Sequence, residues 1–150
     1  SPRYYYDLRL ARKAWEKTDT PFTPAISLIL GLVESLKFIL SEGLDRFIQE
    51  HQARSERVRK AISAMGLELF TDPACASQAV TTVKVPVGID GNELVKRIQQ
   101  RHGIWIAGGQ GKELEGKVIR IATMGAVGDK ELEAGLKALE VELKEMDVNV

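Results

Sequence analysis

The sequence predicts an α+β fold in which a small, largely antiparallel sheet is covered by helices on one face. Three observations lead to this prediction. Apolar residues recur at intervals of three and four in several segments, β-branched residues alternate in the short segments between them, and glycine or proline separates most segments. From residue 44 onward the predicted order is α-β-β-α-β-β-α, and about 100 residues are enough to bury the core of such a unit.

Composition limits the class of protein. The 150 residues include 21 Lys and Arg, 21 Asp and Glu and 44% hydrophobic residues, so the formal net charge is zero. This balance is ordinary for a globular domain and gives no electrostatic footprint for nucleic acid. The longest apolar run, 26–32, is far shorter than the about 20 residues of a membrane span. The single cysteine, Cys75, excludes an intrachain disulfide and favours the cytoplasm, and two histidines are too few to indicate a metal site.

The N-terminal part begins with a short predicted helix and an extended loop. Apolar spacing predicts a helix over about 7–16. Pro21 and Pro24 then restrict the backbone to extended conformations, so we expect an ordered, proline-stiffened loop. The chain starts without Met and without the features of a signal peptide, and it reads like the middle of a longer protein.

A second helix is predicted over 25–42, ending at Gly43. Its apolar residues cover most of the helix surface, which is typical of a helix that is buried or packs against two partners. We therefore expect residues 1–43 to form a linker and an apolar helix that needs a further partner. The α+β unit itself is expected over 44–150.

The remaining segments alternate between helical and strand periodicity. In chain order they are a helix over 44–65, strands over 67–70 and 80–85, a helix over about 91–102, strands over 104–107 and 117–123, and a helix over 129–145. Gly66 is a natural stop for the first of these helices, and Asp129 is a good N-cap for the last. His51 is interpreted as a half-buried residue of the first helix.

Arg120 is the residue most indicative of function. In the predicted strand it lies between Ile119 and Ile121 and points to the opposite face. A guanidinium group in the middle of a strand is costly to bury unless it is paired. Either an acidic side chain of the protein neutralises it, or its planar fork of donors binds a carboxylate or phosphate.

Two further segments carry candidate binding groups. The hydroxyls of Thr20 and Thr23 either cap the helix that follows or, together with free N–H groups at the helix start, face a phosphate. The glycine-rich run 108–111 either forms a flexible hairpin connection or lets a ligand approach the backbone closely. The stretch 111–118 nearly matches a phosphate-binding P-loop, but Val118 stands where that motif needs a hydroxyl.

Several short segments are weak signals individually and specific together. Together they span essentially the whole chain, in the same order as the matching segments of one protein family. The segments are 4–8, 20–28, 31–36, 65–70, 80–83, 106–111 and 116–121. With them the sequence resembles the C-terminal part of the class V aminotransferases. These are pyridoxal-phosphate enzymes of fold type I, such as alanine–glyoxylate and serine–pyruvate aminotransferases. It also resembles the aminotransferase-like cyanobacterial proteins labelled as small subunits of a soluble hydrogenase.

The resemblance implies roles for the candidate residues. Arg120 would grip the α-carboxylate of the substrate. Thr23, with Thr20 beside it, would contact the phosphate of pyridoxal 5'-phosphate in the neighbouring subunit of a homodimer. The implied reaction moves an amino group between a small amino acid of the alanine or serine type and a 2-oxo acid such as glyoxylate or pyruvate. The small domain of this family, an antiparallel sheet with helices outside, agrees with the predicted fold.

The resemblance also implies that part of such an enzyme lies upstream of this sequence. The Schiff-base lysine, the aspartate that pairs with the pyridine nitrogen and the stacking aromatic residue all precede the tyrosine-rich stretch at 4–6. We therefore expect a C-terminal segment that alone is not catalytically complete. Residues 1–43 would be the end of the large domain, an interface loop and a linking helix, and 44–150 the small domain.

The sequence leaves one alternative function open. The alternative is a free-standing α+β module, binding or regulatory, in which Arg120 holds a small anion. Direct hydrogenase chemistry is not expected, because the sequence has no cysteine cluster for an iron–sulfur or nickel site.

Overall fold

The computed structural model describes residues 3–148 in two compact units, one ending at Leu44 and one beginning at Asp45. The helices and strands are, in chain order, α1 (Leu8–Trp15), α2 (Ile26–Glu42), α3 (Leu44–Ala64), β1 (Val80–Lys84), α4 (Gly91–His102), β2 (Ala107–Gly108), β3 (Val118–Ala122) and α5 (Asp129–Glu145). Single turns of 3₁₀ helix lie at Tyr4–Tyr6 and Pro73–Cys75. Within the described range no helix is long and apolar enough to cross a membrane.

The first unit consists of α1, an extended loop and α2, as predicted. Asp7 begins α1, and its carboxylate accepts a hydrogen bond of 2.9 Å from the Arg9 main-chain N–H. Gly43 ends α2 with φ of 87°, a conformation that glycine adopts without strain. Within residues 3–148, α2 buries no side chain, and Leu28 and Leu40 are each 74% exposed. The burial expected for α2 is therefore not found among the described residues.

The second unit is a three-stranded antiparallel sheet with helices packed on one face. The strand order is β1-β3-β2, so β3 is central. Val83 of β1 lies opposite Ile119 of β3, and both side chains are almost completely buried. They belong to one hydrophobic core with side chains of α3, α4 and α5, which includes Val58, Ile62, Leu94, Ile98, Leu132, Leu139 and Leu143. Burying each such side chain contributes about 1.5–3 kcal/mol, so this core is the main source of the unit's stability.

Two predicted strands are corrected by the structure. Residues 67–70 do not form a strand and make a single antiparallel bridge, between Leu69 and Val83. The chain leaves β1 there because Asp72 begins the 3₁₀ turn, accepting a hydrogen bond from the Ala74 N–H. The strand predicted over 104–107 is displaced to Ala107–Gly108, since the chain reaches β3 only at Ala107. The sheet therefore has three strands where four were predicted.

The start of α5 is also corrected. The N-cap is Gly128, whose N–H donates a hydrogen bond of 3.1 Å to the Glu131 carboxylate. Asp129 is the first helical residue, and its carboxylate lies 2.9 Å from Nη2 of Arg57 and 3.5 Å from Nε of Arg54. The carboxylate is thus engaged by arginines of α3 and does not cap its own helix.

The prediction for His51 is confirmed. The side chain is half-buried, and its Nδ1 lies 2.9 Å from the Phe47 carbonyl oxygen one turn earlier in α3. Its ring also packs on the Phe47 ring, with centroids 4.2 Å apart. These contacts are those of a structural helix residue.

Candidate functional site

Arg120 lies at the centre of the sheet. It occupies the middle of β3, with Thr82 of β1 opposite it on one side and Ala107 of β2 on the other. Because side chains alternate along a strand, Arg120 points away from the face that carries Ile119 and the helical core. Its side chain is half-buried. The guanidinium group therefore belongs to the sheet face that the helices do not cover.

The hydrogen bonding of Arg120 bears on the two interpretations of this residue. Its Nε donates a hydrogen bond of 2.9 Å to the main-chain carbonyl of Gly108. Throughout the part of the chain that the structure describes, no carboxylate pairs with it, and neither Nη group makes a hydrogen bond. An acidic structural partner is therefore not found between residues 3 and 148. The guanidinium keeps two amino groups with which it can bind an external anion.

The glycine-rich run 108–111 begins the connection between β2 and β3, as the hairpin interpretation predicts. The connection is tightly packed. A Cβ added at Gly109 would lie only 1.9 Å from the Leu114 carbonyl oxygen. At the other end of the connection, the Gly116 carbonyl accepts a hydrogen bond of 2.9 Å from the N–H of Gly91, the first residue of α4. The glycines thus permit close backbone packing beside Arg120.

Thr20 and Thr23 share the exposed loop between α1 and α2. Neither of them caps α2, because the N-cap is Ala25 and the helix start has no side-chain hydrogen bond. In the described part of the chain their hydroxyls have no hydrogen-bond partner, although the Thr20 N–H donates to the Asp19 carboxylate at 2.7 Å. Phe22 between them packs on the Tyr5 ring, with centroids 4.6 Å apart. The two threonines are therefore near each other, in the first unit, whereas Arg120 belongs to the second.

A buried charge cluster joins α4 to α5 and was not predicted. Glu142 has no solvent exposure, and its carboxylate lies 2.9 Å from Nε of Arg97, 3.0 Å from Nη1 of Arg101 and 2.7 Å from Nε2 of His102. Burial alone would raise the pKa of Glu142, but these hydrogen bonds and charges outweigh it and lower the pKa below its usual value. The pKa of Glu145 is also lowered, chiefly by its hydrogen bond with Arg101.

The only signal of this cluster in the sequence is the spacing of its members. Arg97 and Arg101 are one helical turn apart, as are Glu142 and Glu145, so each pair lies on one side of its helix. Nothing in that spacing indicates which helix faces which. The cluster holds two helices together, away from the strand residue that carries the functional interpretation.

Comparison with curated proteins identifies relatives along nearly the whole chain. The "Soluble hydrogenase, small subunit" of Synechococcus is 37% identical over 145 residues, which are 97% of this chain and 37% of the relative. An uncharacterised aminotransferase of Methanocaldococcus jannaschii is 36% identical over 148 residues, 98% of this chain and 38% of the relative. The serine–glyoxylate aminotransferase of Arabidopsis thaliana is 38% identical over 127 residues, 84% of this chain and 31% of the relative. No protein-family model matches the chain.

Solved structures agree with these relatives. The ureidoglycine–glyoxylate aminotransferase of Bacillus subtilis matches with a TM-score of 0.88 and 31% identity, covering 99% of this chain and 38% of that one. The alanine–glyoxylate aminotransferase of Nostoc matches with a TM-score of 0.84 and 32% identity, covering 94% of this chain and 38% of that one.

These matches confirm the predicted α+β fold and the predicted resemblance. The fold is that of the C-terminal domain of an aminotransferase. The chain is similar to the C-terminal part of aminotransferases over nearly its whole length. It spans a little over a third of the length of the curated relatives that it matches most fully, at 37% and 38%.

Proposed function

We propose that this chain is the carboxylate-binding part of a pyridoxal-phosphate-dependent aminotransferase. The complete protein would move an amino group between a small amino acid of the alanine or serine type and a 2-oxo acid such as glyoxylate or pyruvate. The names of the relatives support this reaction, since those from Arabidopsis thaliana, Bacillus subtilis and Nostoc are all aminotransferases that act with glyoxylate. The observation that carries the proposal is the Arg120 guanidinium, half-buried on the open sheet face without an acidic partner among residues 3–148.

Arg120 would bind the α-carboxylate and orient the substrate. Two parallel N–H···O bonds to a carboxylate are strong and fix the plane of the bound group. Fixing the carboxylate leaves the Cα substituents in one orientation, so that the Cα–H bond can be aimed at a general base. Because Arg120 lies in the central strand of a packed sheet, its Cα position is held rigidly by both neighbouring strands.

The residues around the start of α2 fit the phosphate of pyridoxal 5'-phosphate. Thr20 and Thr23 each have an exposed hydroxyl with no partner in the described range, and α2 begins without a side-chain cap. Free N–H groups at a helix start and nearby hydroxyls are typical ligands of a phosphate. When bound, the cofactor supplies an electron sink for the carbanion at the substrate Cα. Following the family resemblance, we propose that these threonines serve the cofactor of the neighbouring subunit.

The general base of this reaction is proposed to lie outside this sequence. Every lysine between residues 3 and 148 is exposed, and Lys84 of β1, which shares the sheet face of Arg120, pairs with Glu68. The resemblance assigns the acid–base role to a lysine of the large domain, upstream of residue 4. We therefore propose that residues 1–43 belong with the large domain, that 44–150 are the small domain, and that the 150 residues alone are inactive.

The proposed assembly is a cytoplasmic homodimer. The exposed apolar side chains of α2 support it, because such a helix gains free energy when a partner covers it. The single cysteine is consistent with a reducing compartment.

The test of the proposed function is whether Arg120 governs amino-acid binding in the complete protein. Replacing Arg120 by Ala is expected to weaken binding of alanine and to leave the cofactor bound. If the chain were instead a free-standing anion-binding module, the purified protein would bind small carboxylates without any pyridoxal phosphate.

A further inference from the structure

We propose that the main-chain carbonyl of Gly108 is a positioning group for Arg120, and that it restricts an incoming carboxylate to one arrangement. In this end-on arrangement, the two carboxylate oxygens accept hydrogen bonds from Nη1 and Nη2, and Nε takes no part. The inference rests on the proposed function of Arg120 as the carboxylate-binding residue, and it adds the geometry of that binding.

A guanidinium group can bind a carboxylate through either of two pairs of N–H donors. A side-on pair uses Nε and one Nη group, and an end-on pair uses both Nη groups. In this structure Nε already donates to the Gly108 carbonyl at 2.9 Å, which is the usual length of a full N–H···O hydrogen bond. Side-on binding would leave that half-buried carbonyl without a donor, which is unfavourable. The end-on pair is therefore favoured.

The Gly108 carbonyl is held in place by the hairpin connection. It belongs to the peptide bond between Gly108 and Gly109, and Gly109 packs against the backbone of Leu114 so closely that a Cβ would be 1.9 Å from its carbonyl oxygen. The far end of the connection is fixed by the hydrogen bond from Gly91 to Gly116. A side chain at position 109 would force this peptide to move, and the acceptor of the Arg120 Nε–H would move with it.

The first experiment compares two Gly→Ala variants in the complete protein, with alanine and ethylamine as alternative amino donors. Ethylamine lacks the carboxylate, so its reaction does not use Arg120. Gly109→Ala is expected to lower the ratio of kcat/KM for alanine to kcat/KM for ethylamine by about 10- to 100-fold, the size of effect that a misplacement of about 1 Å can have. A general folding defect would lower both values and leave the ratio unchanged.

Gly135→Ala is the matched control. It makes the same substitution in α5, where the new Cβ would have only an ordinary contact, 4.0 Å from Ile104. The ratio for this variant is expected to equal that of the unsubstituted protein. An unchanged ratio for Gly109→Ala, with Arg120→Ala lowering it, would overturn the positioning role and leave the proposed function intact. An unchanged ratio for Arg120→Ala would overturn the proposed function itself.

The second experiment observes the hydrogen bond directly and does not depend on activity. In the ¹⁵N NMR spectrum of the 150-residue chain, the Nε–H of Arg120 is expected to exchange with water at least about tenfold more slowly than that of Arg12, which is exposed on α1. Gly109→Ala should raise the exchange rate of the Arg120 Nε–H towards that of Arg12. Equal exchange rates for the two arginines in the unsubstituted chain would overturn the proposal.

Discussion

Arg97 Nε donates a hydrogen bond of 2.9 Å to Glu142, a carboxylate that has no contact with solvent although it belongs to a helix with many charged residues. Arg101 and His102 donate to the same carboxylate. Since all three donors come from α4 and the carboxylate from α5, this group fixes how the two helices pack behind the sheet. The packing in turn supports β3, the strand that carries Arg120.

Removing the charge of Glu142 is expected to destabilise the chain. In Glu142→Gln one acceptor oxygen becomes an NH₂ donor that faces cationic donors, so buried hydrogen bonds are lost and the arginines lose their shared anion. We expect the free energy of unfolding to fall by about 1–3 kcal/mol, measured by urea denaturation. Glu140→Gln is the control, because Glu140 pairs with Lys144 at the surface of the same helix, and its loss is expected to change stability by less than about 0.5 kcal/mol. Equal effects of the two substitutions would contradict this role of Glu142.

The same cluster predicts loss of stability in acid. The folded pKa values of Glu142 and Glu145 lie below the usual value of 4.5, because their arginine and histidine partners stabilise the carboxylates. As pH falls, the unfolded chain therefore binds protons before the folded chain does, and the equilibrium shifts towards unfolding. The contribution is complete above the usual pKa and is lost as pH falls through the folded pKa values.

The urea midpoint, measured between about pH 6 and about pH 3, tests this prediction. It should decline towards acid, and the decline should be shallower in Glu142→Gln, which has one fewer group with a lowered pKa. If the urea midpoint of Glu142→Gln declined with falling pH as steeply as that of the unsubstituted chain, Glu142 would not contribute to the pH dependence.

The loop between α1 and α2 is expected to determine cofactor affinity. Thr23→Val keeps the shape of the side chain and removes its hydroxyl, so a hydrogen bond to a charged phosphate is lost. In the complete protein we expect the Kd for pyridoxal phosphate to rise about tenfold, and Thr20→Val to act in the same direction. Thr71→Val, in the second unit, is the control. Equilibrium dialysis measures the three values, and a Thr23→Val variant that matches Thr71→Val would argue against a phosphate at this loop.

The surface of α2 is expected to be covered by a second copy of the protein. Leu28 is 74% exposed in this chain. A charged side chain at this position would be buried in the dimer without a partner and would weaken it. Sedimentation velocity of the complete protein should show a dimer, and Leu28→Glu should shift it towards monomer at micromolar concentration. Val87→Glu, at a fully exposed position of the second unit, should remain dimeric. A monomeric unsubstituted protein would refute this assembly.

Local sequence signals predict all five α-helices and the strands β1 and β3. The helices α1 to α5 follow apolar periodicity, and a glycine such as Gly43 marks where a helix ends, and these are properties of neighbouring residues. The strand predictions are wrong where strand pairing depends on residues that are distant in the sequence. Residues 67–70 have strand composition and share main-chain hydrogen bonds with β1 at Glu68 and Phe70, but this pairing amounts to a single bridge at Leu69. The extent of β2 is set by where the chain reaches β3.

The candidate site is predicted only in part for the same reason. Periodicity places Arg120 on one face of a strand, and the family resemblance supplies a role for it. The bond from its Nε to Gly108 depends on the register of a hairpin with a long connection, and sequence spacing does not fix that register. Similarly, no local rule pairs Glu142 with three donors 40 or more residues away.

The affinity of the complete protein for alanine, measured with Arg120→Ala against Arg57→Ala, tests the central claim most directly. Arg57 is a suitable control because its guanidinium pairs with Asp129 at the surface of the helical layer. We expect Arg120→Ala to weaken binding by about 2–4 kcal/mol, the range for losing one partner of a desolvated charge pair. That loss is a rise of about 30- to 1,000-fold in Kd, whereas Arg57→Ala should change Kd by less than about twofold. Unchanged alanine affinity in a folded Arg120→Ala protein would contradict the account.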